Sequence, residues 1–189
     1  MPELPRVTEI LRKIGIAKRY DGIDPIYAEI GTASALAIKL DIEGQLDESS
    51  LDDLVKPRLD AFRKFRQETG YSPRYCELSL VSDKHGYRGT LDHLGVLNGK
   101  CVLLDTKCSQ VVQPETDLQL MGYYWLLWEQ DYGSVQKRGA LRLGRDGEWE
   151  LVWYDTDPMV WFAVLEIYRW KTKRGDHGFT QGAYATSVT

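Results

Sequence analysis

Hydrophobic and polar positions recur with two different periods along this chain. From Pro5 to Arg19, Ile10, Leu11 and Ile14 fall on one side of a helix, with Arg12, Lys13, Lys18 and Arg19 elsewhere. A loop with Asp21, Gly22 and Pro25 follows. From Ile26 to Leu40 the pattern is again helical but rich in alanine, IYAEIGTASALAIKL. Gly31, Ala33, Ser34, Ala35 and Ala37 leave so little bulk that another helix or a ligand can approach closely; helix packing is the ordinary explanation. After the polar loop EGQLDESS, Ser50 with Asp53 offers a helix start. A helix then spans Leu54 to Thr69 and ends at Gly70, with Leu59, Phe62 and Phe65 inward. Arg58, Arg63, Lys64 and Arg66 read as its solvated face.

The period then shifts toward two. Arg74 to Val81 (RYCELSLV) reads as a strand, and Arg88 to Lys107 (RGTLDHLGVLNGKCVLLDTK) as a hairpin about Asn98-Gly99. Both central residues of such a turn take positive φ in a type I′ geometry. The turn sets the register: Leu97 opposite Lys100, Val96 opposite Cys101, Leu94 opposite Leu103, Asp92 opposite Asp105 and Thr90 opposite Lys107. Pro114 opens a helix to Gln130 with Glu115 and Asp117 in its first turn, where the helix dipole favours acids. Leu118, Met121, Trp125 and Trp128 are its expected buried stripe. Lys137 to Leu143 and Glu148 to Tyr154 make a second hairpin around Arg145, Asp146 and Gly147. Asp157-Pro158 opens a last amphipathic helix ending in YRWKTKRG.

The register places two carboxylates opposite each other, about 5 Å apart, where like charges repel. A divalent cation between them reverses the sign, because hard cations take carboxylate oxygens. Lys107, two residues past Asp105, shares its face and aims an ammonium at the same spot. Such a group can orient an attacking water or stabilise charge on a phosphate. A D-x-K at a solvated strand end is the plain alternative, set against the burial expected of the face that Leu94, Val96, Cys101 and Leu103 share with these acids. Glu77, the acid of the first strand, lands near Asp92 if Val81 pairs near Arg88; it is either a third member of the cluster or an exposed strand acid. Gln119 and Tyr123, four apart, share a helix face, as site residues or as a solvated and a core residue.

The chain of 189 residues, 43% hydrophobic and 28% charged, fits one globular domain. It has no stretch of membrane-span length, and MPELPRVTEI has no apolar signal core. Cysteines 76, 101 and 108 form no CxxC pair and read as reduced thiols of a cytosolic protein. The net charge of −4 gives no global attraction to nucleic acid. Any grip on DNA then depends on local basic patches, the last helix's basic and aromatic end being one candidate. No linker marks a second domain. The division expected is a single domain over 1–175 (helices 5–70, core 74–130, hairpin and helix 137–174) and a loosely held tail over 176–189.

In chain order, Gly89-Thr90-Leu91-Asp92, then Asp105-Thr106-Lys107, then Gln119 with Tyr123 resemble the GxxD, DxK and QxxxY motifs of the PD-(D/E)XK nuclease superfamily. Within it, the RecB-type branch that includes phage recombination exonucleases looks most similar, over roughly Tyr27 to Trp128. The resemblance implies an α/β (α+β) fold of restriction-endonuclease-like core: a central mixed sheet with an antiparallel three-strand meander, flanked by helices. It also implies an Mg²⁺- or Mn²⁺-dependent deoxyribonuclease, more often exonucleolytic. Asp92, Asp105 and the Thr106 backbone carbonyl would be metal ligands, Lys107 the catalytic lysine, Glu77 an assisting acid, and Gln119 and Tyr123 the pair that positions the lysine and the DNA. The branch often carries G-T-x-x-H on its N-terminal helix; here Gly31 and Thr32 lead to Ala35, and the histidine is missing. Ser34 is then a candidate for touching phosphate. The missing histidine supports a rival reading, a catalytically inactive DNA-binding or scaffold protein; a site-specific endonuclease is a third. DNA is the expected partner. A homo-oligomer or a recombination-protein partner is left open, no membrane is expected, and the location is the cytoplasm, the host's if the protein is phage-encoded.

Overall fold

The computed structural model describes residues 3–17 and 25–175, the side chains as far as residue 173. The helices are α1 (Val7–Ile14), α2 (Ile26–Glu43), α3 (Lys56–Thr69), α4 (Glu115–Glu129) and α5 (Val160–Gly175). The strands are β1 (Ser72–Ser82), β2 (Tyr87–Leu97), β3 (Lys100–Lys107), β4 (Lys137–Leu143) and β5 (Trp149–Tyr154). They form one mixed sheet in the order β1-β2-β3-β4-β5. β1 to β3 are an antiparallel meander, β4 returns parallel to β3 through α4, and β5 pairs antiparallel with β4. This is the expected α/β architecture. Lys18, Arg19, the Asp21-Gly22 stretch and the tail over 176–189 lie outside the described residues.

The turn chemistry holds. Asn98 and Gly99 take φ of 50° and 73°, and the pairs Leu97–Lys100, Val96–Cys101 and Leu94–Leu103 are as the turn dictates. Val81 pairs with Arg88. One face of the sheet packs Leu80, Leu91, Leu94 and Leu103 against α1, α4 and α5, around Tyr87, Leu127 and Trp161. The other packs Leu97, Val102, Leu104, Leu141 and Leu143 against α2 and α3 through Ile38, Leu59, Phe62 and Phe65. A sheet covered on both sides explains why β2 and β3 read as nearly continuous apolar runs.

Three sequence expectations need correction. α3 starts at Lys56 with Pro57 in its first turn, two residues past Leu54, because Ser50 caps nothing and instead closes a separate short turn, Glu48–Ser50. The buried stripe of α4 is Leu120, Met121, Tyr123, Leu126 and Leu127, while Trp128 is exposed and Leu118 and Trp125 are half-buried. Aromatic bulk misled there: α4 crosses the sheet on its leucine face, and Trp125 and Trp128 meet edge to face, ring centroids 5.4 Å apart. Arg58 is buried, 7% exposed. Positions 58, 62 and 65 follow i, i+4 and i+7, so Arg58 shares the inward face of Phe62 and Phe65.

Candidate active site

The site forms where β2 and β3 part. The ladder between them ends at His93–Leu104, one pair short of Asp92–Asp105. The expected face-to-face pairing of those acids and of Thr90 with Lys107 is therefore not made by backbone hydrogen bonds. Face alternation breaks at the same place. Leu91 packs on the α4 side, yet His93, two residues on, stacks on Phe62 of α3 with ring centroids 5.1 Å apart. Opposite this break, between the pairs Cys76–His93 and Leu78–Leu91, lies Glu77 with φ of 53°. A glutamate in the left-handed region carries strain, a feature that clusters at functional sites. Thr90 instead meets Ser79, hydroxyl to hydroxyl at 2.9 Å.

With the ladder open, the Asp92 carboxylate takes the place of a strand partner. Its Oδ2 accepts from both the backbone N–H and the hydroxyl of Thr106, each at 2.7 Å. Asp105 points toward α4 and is buried, 1% exposed. Its Oδ1 accepts from Gln119 Nε2 at 3.0 Å, and its Oδ2 lies 2.5 Å from Lys107 Nζ yet receives no aligned hydrogen bond. Gln119 ties the group together. Its amide nitrogen also donates to the Tyr123 hydroxyl at 2.9 Å, and its amide oxygen accepts from Lys107 Nζ at 3.2 Å. Asp105, Lys107, Gln119 and Tyr123 thus form one connected network.

The electrostatics follow from burial. Burial pushes the Asp105 carboxyl above its usual range, with Asp92 adding to the rise and Lys107 opposing it. Burial alone would lower the Lys107 ammonium; Asp105 and then Asp92 outweigh it, so the lysine stays charged. Glu77 is pushed up to about 7, first by burial and then by Asp92, with Lys39 opposing. Burial raises the Tyr123 phenol, with the Asp105 charge adding to it, so it remains neutral. Burial lowers His93 to about 4, leaving a neutral imidazole behind Asp105.

Asp92, Asp105, Thr106, Lys107 and Gln119 all line one cleft of about 1190 Å³. Ser34 does not. It is buried on α2, 1% exposed, beside the Cys108 thiol, and Gly31, Thr32 and Ala35 form that part of the wall. Sequence reasoning missed Arg58, Arg142 and Arg145, which also line the cleft. The helical spacing that buries Arg58 was a usable signal. Arg142 lies opposite Lys107 in the parallel register of β3 and β4, a relation no local pattern reveals.

No family model and no curated protein matches the chain. Solved structures do. A phage-related exonuclease from Haemophilus somnus 129PT is similar at 11% identity and a TM-score of 0.48, over 93% of this chain and 97% of that one. An alkaline exonuclease from Laribacter hongkongensis is similar at 13% identity and a TM-score of 0.45, over 92% of this chain and 94% of that one. Its complex with dAMP is similar at 14% identity and the same TM-score, over 93% and 95%. What the cleft can do is decided by its own side chains.

Those side chains suit a hard divalent cation. Among the described residues no three His, Cys, Asp or Glu side chains converge as a ready cage. Mg²⁺ needs none: it keeps several waters and is held by one or two carboxylates together with substrate phosphates. Asp92 and Asp105 supply two carboxylates on one cleft wall, with Asp105 Oδ2 already 2.5 Å from the Lys107 ammonium.

Proposed function

We propose that the chain is an Mg²⁺- or Mn²⁺-dependent nuclease that hydrolyses DNA phosphodiester bonds, acting from ends. The observation that carries the reading is the Asp105–Gln119–Lys107 network standing beside Asp92 on the wall of an open cleft. Asp105 is buried and Asp92 half-buried; two carboxylates drawn out of water cost free energy unless compensated, and the single charge of Lys107 offsets only one of them.

In this reading Asp92, Asp105 and the Thr106 carbonyl hold the cation. When bound, it supplies positive charge that lowers the pKa of water and offsets charge on the phosphate. Lys107 presents its ammonium to the reacting phosphate and orients the attacking water. Gln119 fixes the direction of that ammonium by accepting one of its protons, and Tyr123 fixes the amide of Gln119. Glu77, raised to about 7 by burial and Asp92, would serve as the assisting acid that takes a proton near neutral pH.

The experiment uses linear DNA labelled at either end, incubated with Mg²⁺, with Mn²⁺ and with EDTA, alongside closed circular DNA. A metal-dependent ladder on linear but not circular substrate is expected. Lys107→Met should lower the rate by at least about 10²-fold with an unchanged far-ultraviolet circular dichroism spectrum. Cleavage at the wild-type rate by Lys107→Met, or by the wild type in EDTA, overturns the assignment. Ala35 on the cleft wall, where the resembling branch has a histidine ligand, favours a second reading as a DNA-binding protein without activity. Gel retardation without cleavage would establish that one, and cutting of the circle would point to an endonuclease.

A further inference from the structure

Arg58 has a place in this cleft that the acid–lysine network does not explain. Its side chain is 7% exposed, it lines the same cleft wall as Asp92 and Lys107, and its Nε has no hydrogen-bond partner. Among the described residues it enters no ion pair, whereas Arg63, Lys64, Arg66, Arg88, Arg138, Arg142 and Arg169 all do. Its Nη1 donates to the Leu54 carbonyl, one turn back, and its other neighbour is the Cys108 thiol, whose rise on burial it partly offsets. A guanidinium out of water and without a counter-anion is a costly arrangement. It is held in place by a main-chain carbonyl and a thiol, and neither carries a charge to balance it.

Of the other arginines on the cleft wall, Arg142 pairs in register with Lys107 and donates its Nε to Glu150 Oε2 at 2.9 Å, and Arg145 lies in the turn after β4. Lys107 is engaged with Asp105. The cleft therefore has two positive zones: Lys107 with Arg142 beside it at the reacting centre, and Arg58 on α3, whose own anion is missing.

We infer that Arg58 forms a separate phosphate subsite that receives a phosphate of the bound polynucleotide other than the one being cleaved. The planar fork of arginine matches phosphate oxygens in pairs, and an incoming phosphate supplies the balance the protein lacks. The subsite rests on the nuclease reading only for the identity of the polymer; its anion specificity is tested without catalysis.

The first measurement is thermal unfolding in inorganic phosphate against chloride at equal ionic strength. Phosphate should raise the Tm of the wild type and of Lys107→Met, and not that of Arg58→Met. In chloride, Arg58→Met should melt at or above the wild type, because it removes an unbalanced buried charge; an arginine serving only the fold would melt lower when replaced. The second measurement is fluorescence anisotropy of a labelled oligonucleotide in EDTA. Arg58→Met should weaken binding by about tenfold, equivalent to about 1.4 kcal/mol. Arg58→Lys, which keeps the charge and loses the fork, should fall between them and serves if the methionine variant does not fold. Oligonucleotides with and without a terminal phosphate separate the two sources: a loss confined to phosphorylated ends assigns the subsite to a terminal phosphate, and an equal loss assigns it to the backbone. Unchanged phosphate response and unchanged anisotropy in both Arg58 variants overturn the inference, whether or not the wild type cleaves DNA.

Discussion

At the scale of single residues the site is governed by what burial does to carboxylates. Glu77 shows it most clearly. Its carboxyl sits near 7 against an ordinary 4.5, chiefly through burial and then through Asp92. Because the folded value lies above the unfolded one, the folded state holds this proton where the unfolded chain has released it. The associated stabilisation is full below about 4.5 and is lost as pH rises through about 7. Burial raises Asp105 in the same direction, so the two reinforce each other. The metal-free protein should therefore show a Tm that falls between about pH 4.5 and about pH 7 and levels off above it. Glu77→Gln should flatten that slope and raise the Tm at the alkaline end, as read by calorimetric scans in EDTA. A steeper fall in the variant would mean that Glu77 is held as a carboxylate and that the repulsion from Asp92 is offset by something else.

At the scale of elements the three motifs turn out to be one packed unit. A Cβ built on Gly89 would lie 2.6 Å from Cε1 of Tyr123 and 3.2 Å from Leu126. The glycine of the GxxD stretch on β2 is therefore the seat of the tyrosine of the QxxxY stretch on α4. Tyr123 in turn accepts the hydrogen bond that orients Gln119, and Gln119 contacts both Asp105 and Lys107. Gly89→Ala should push α4 off the sheet, costing ~1–3 kcal/mol of stability as overpacking does. It should also lower kcat more than KM, because it disturbs the lysine rather than the cleft wall; urea unfolding with steady-state kinetics would check both. Much of this was legible in sequence. The Asn98-Gly99 turn fixed the register of β2 and β3, and spacing alone put Gln119 and Tyr123 on one face. What local pattern does not encode is where a ladder stops. The open end past His93–Leu104 and the left-handed Glu77 depend on how β1, β2 and α3 share His93 and Phe62. The same holds for Arg142, which meets Lys107 only because β4 returns parallel to β3, and for Trp128, whose bulk suggested a core that α4 builds from leucines.

At the scale of the whole molecule the charge balance limits how a polyanion can be held. The chain carries a net charge of −4, and most of its described arginines are paired with acids of the same surface. At the basic end of α5, expected to grip a phosphate backbone, the described Arg169, Lys171 and Lys173 do not line the cleft, and Arg169 bonds Glu166 and the His85 carbonyl. Of the described cations that do line it, Lys107 is held by Asp105 in the metal-free protein, which leaves Arg58, Arg142 and Arg145 to meet phosphates in the absence of the cation. Each phosphate neutralised on a duplex contributes about −0.9 to the slope of log affinity against log salt, and about −0.7 on a single strand. With three contacts the slopes should be about −3 and about −2, shallow for a protein that binds DNA. Anisotropy titrations across a range of potassium chloride concentrations, in EDTA, measure both. A slope beyond about −5 would mean that cations outside the cleft wall join the contact, and the path of the nucleic acid would then extend beyond the cleft.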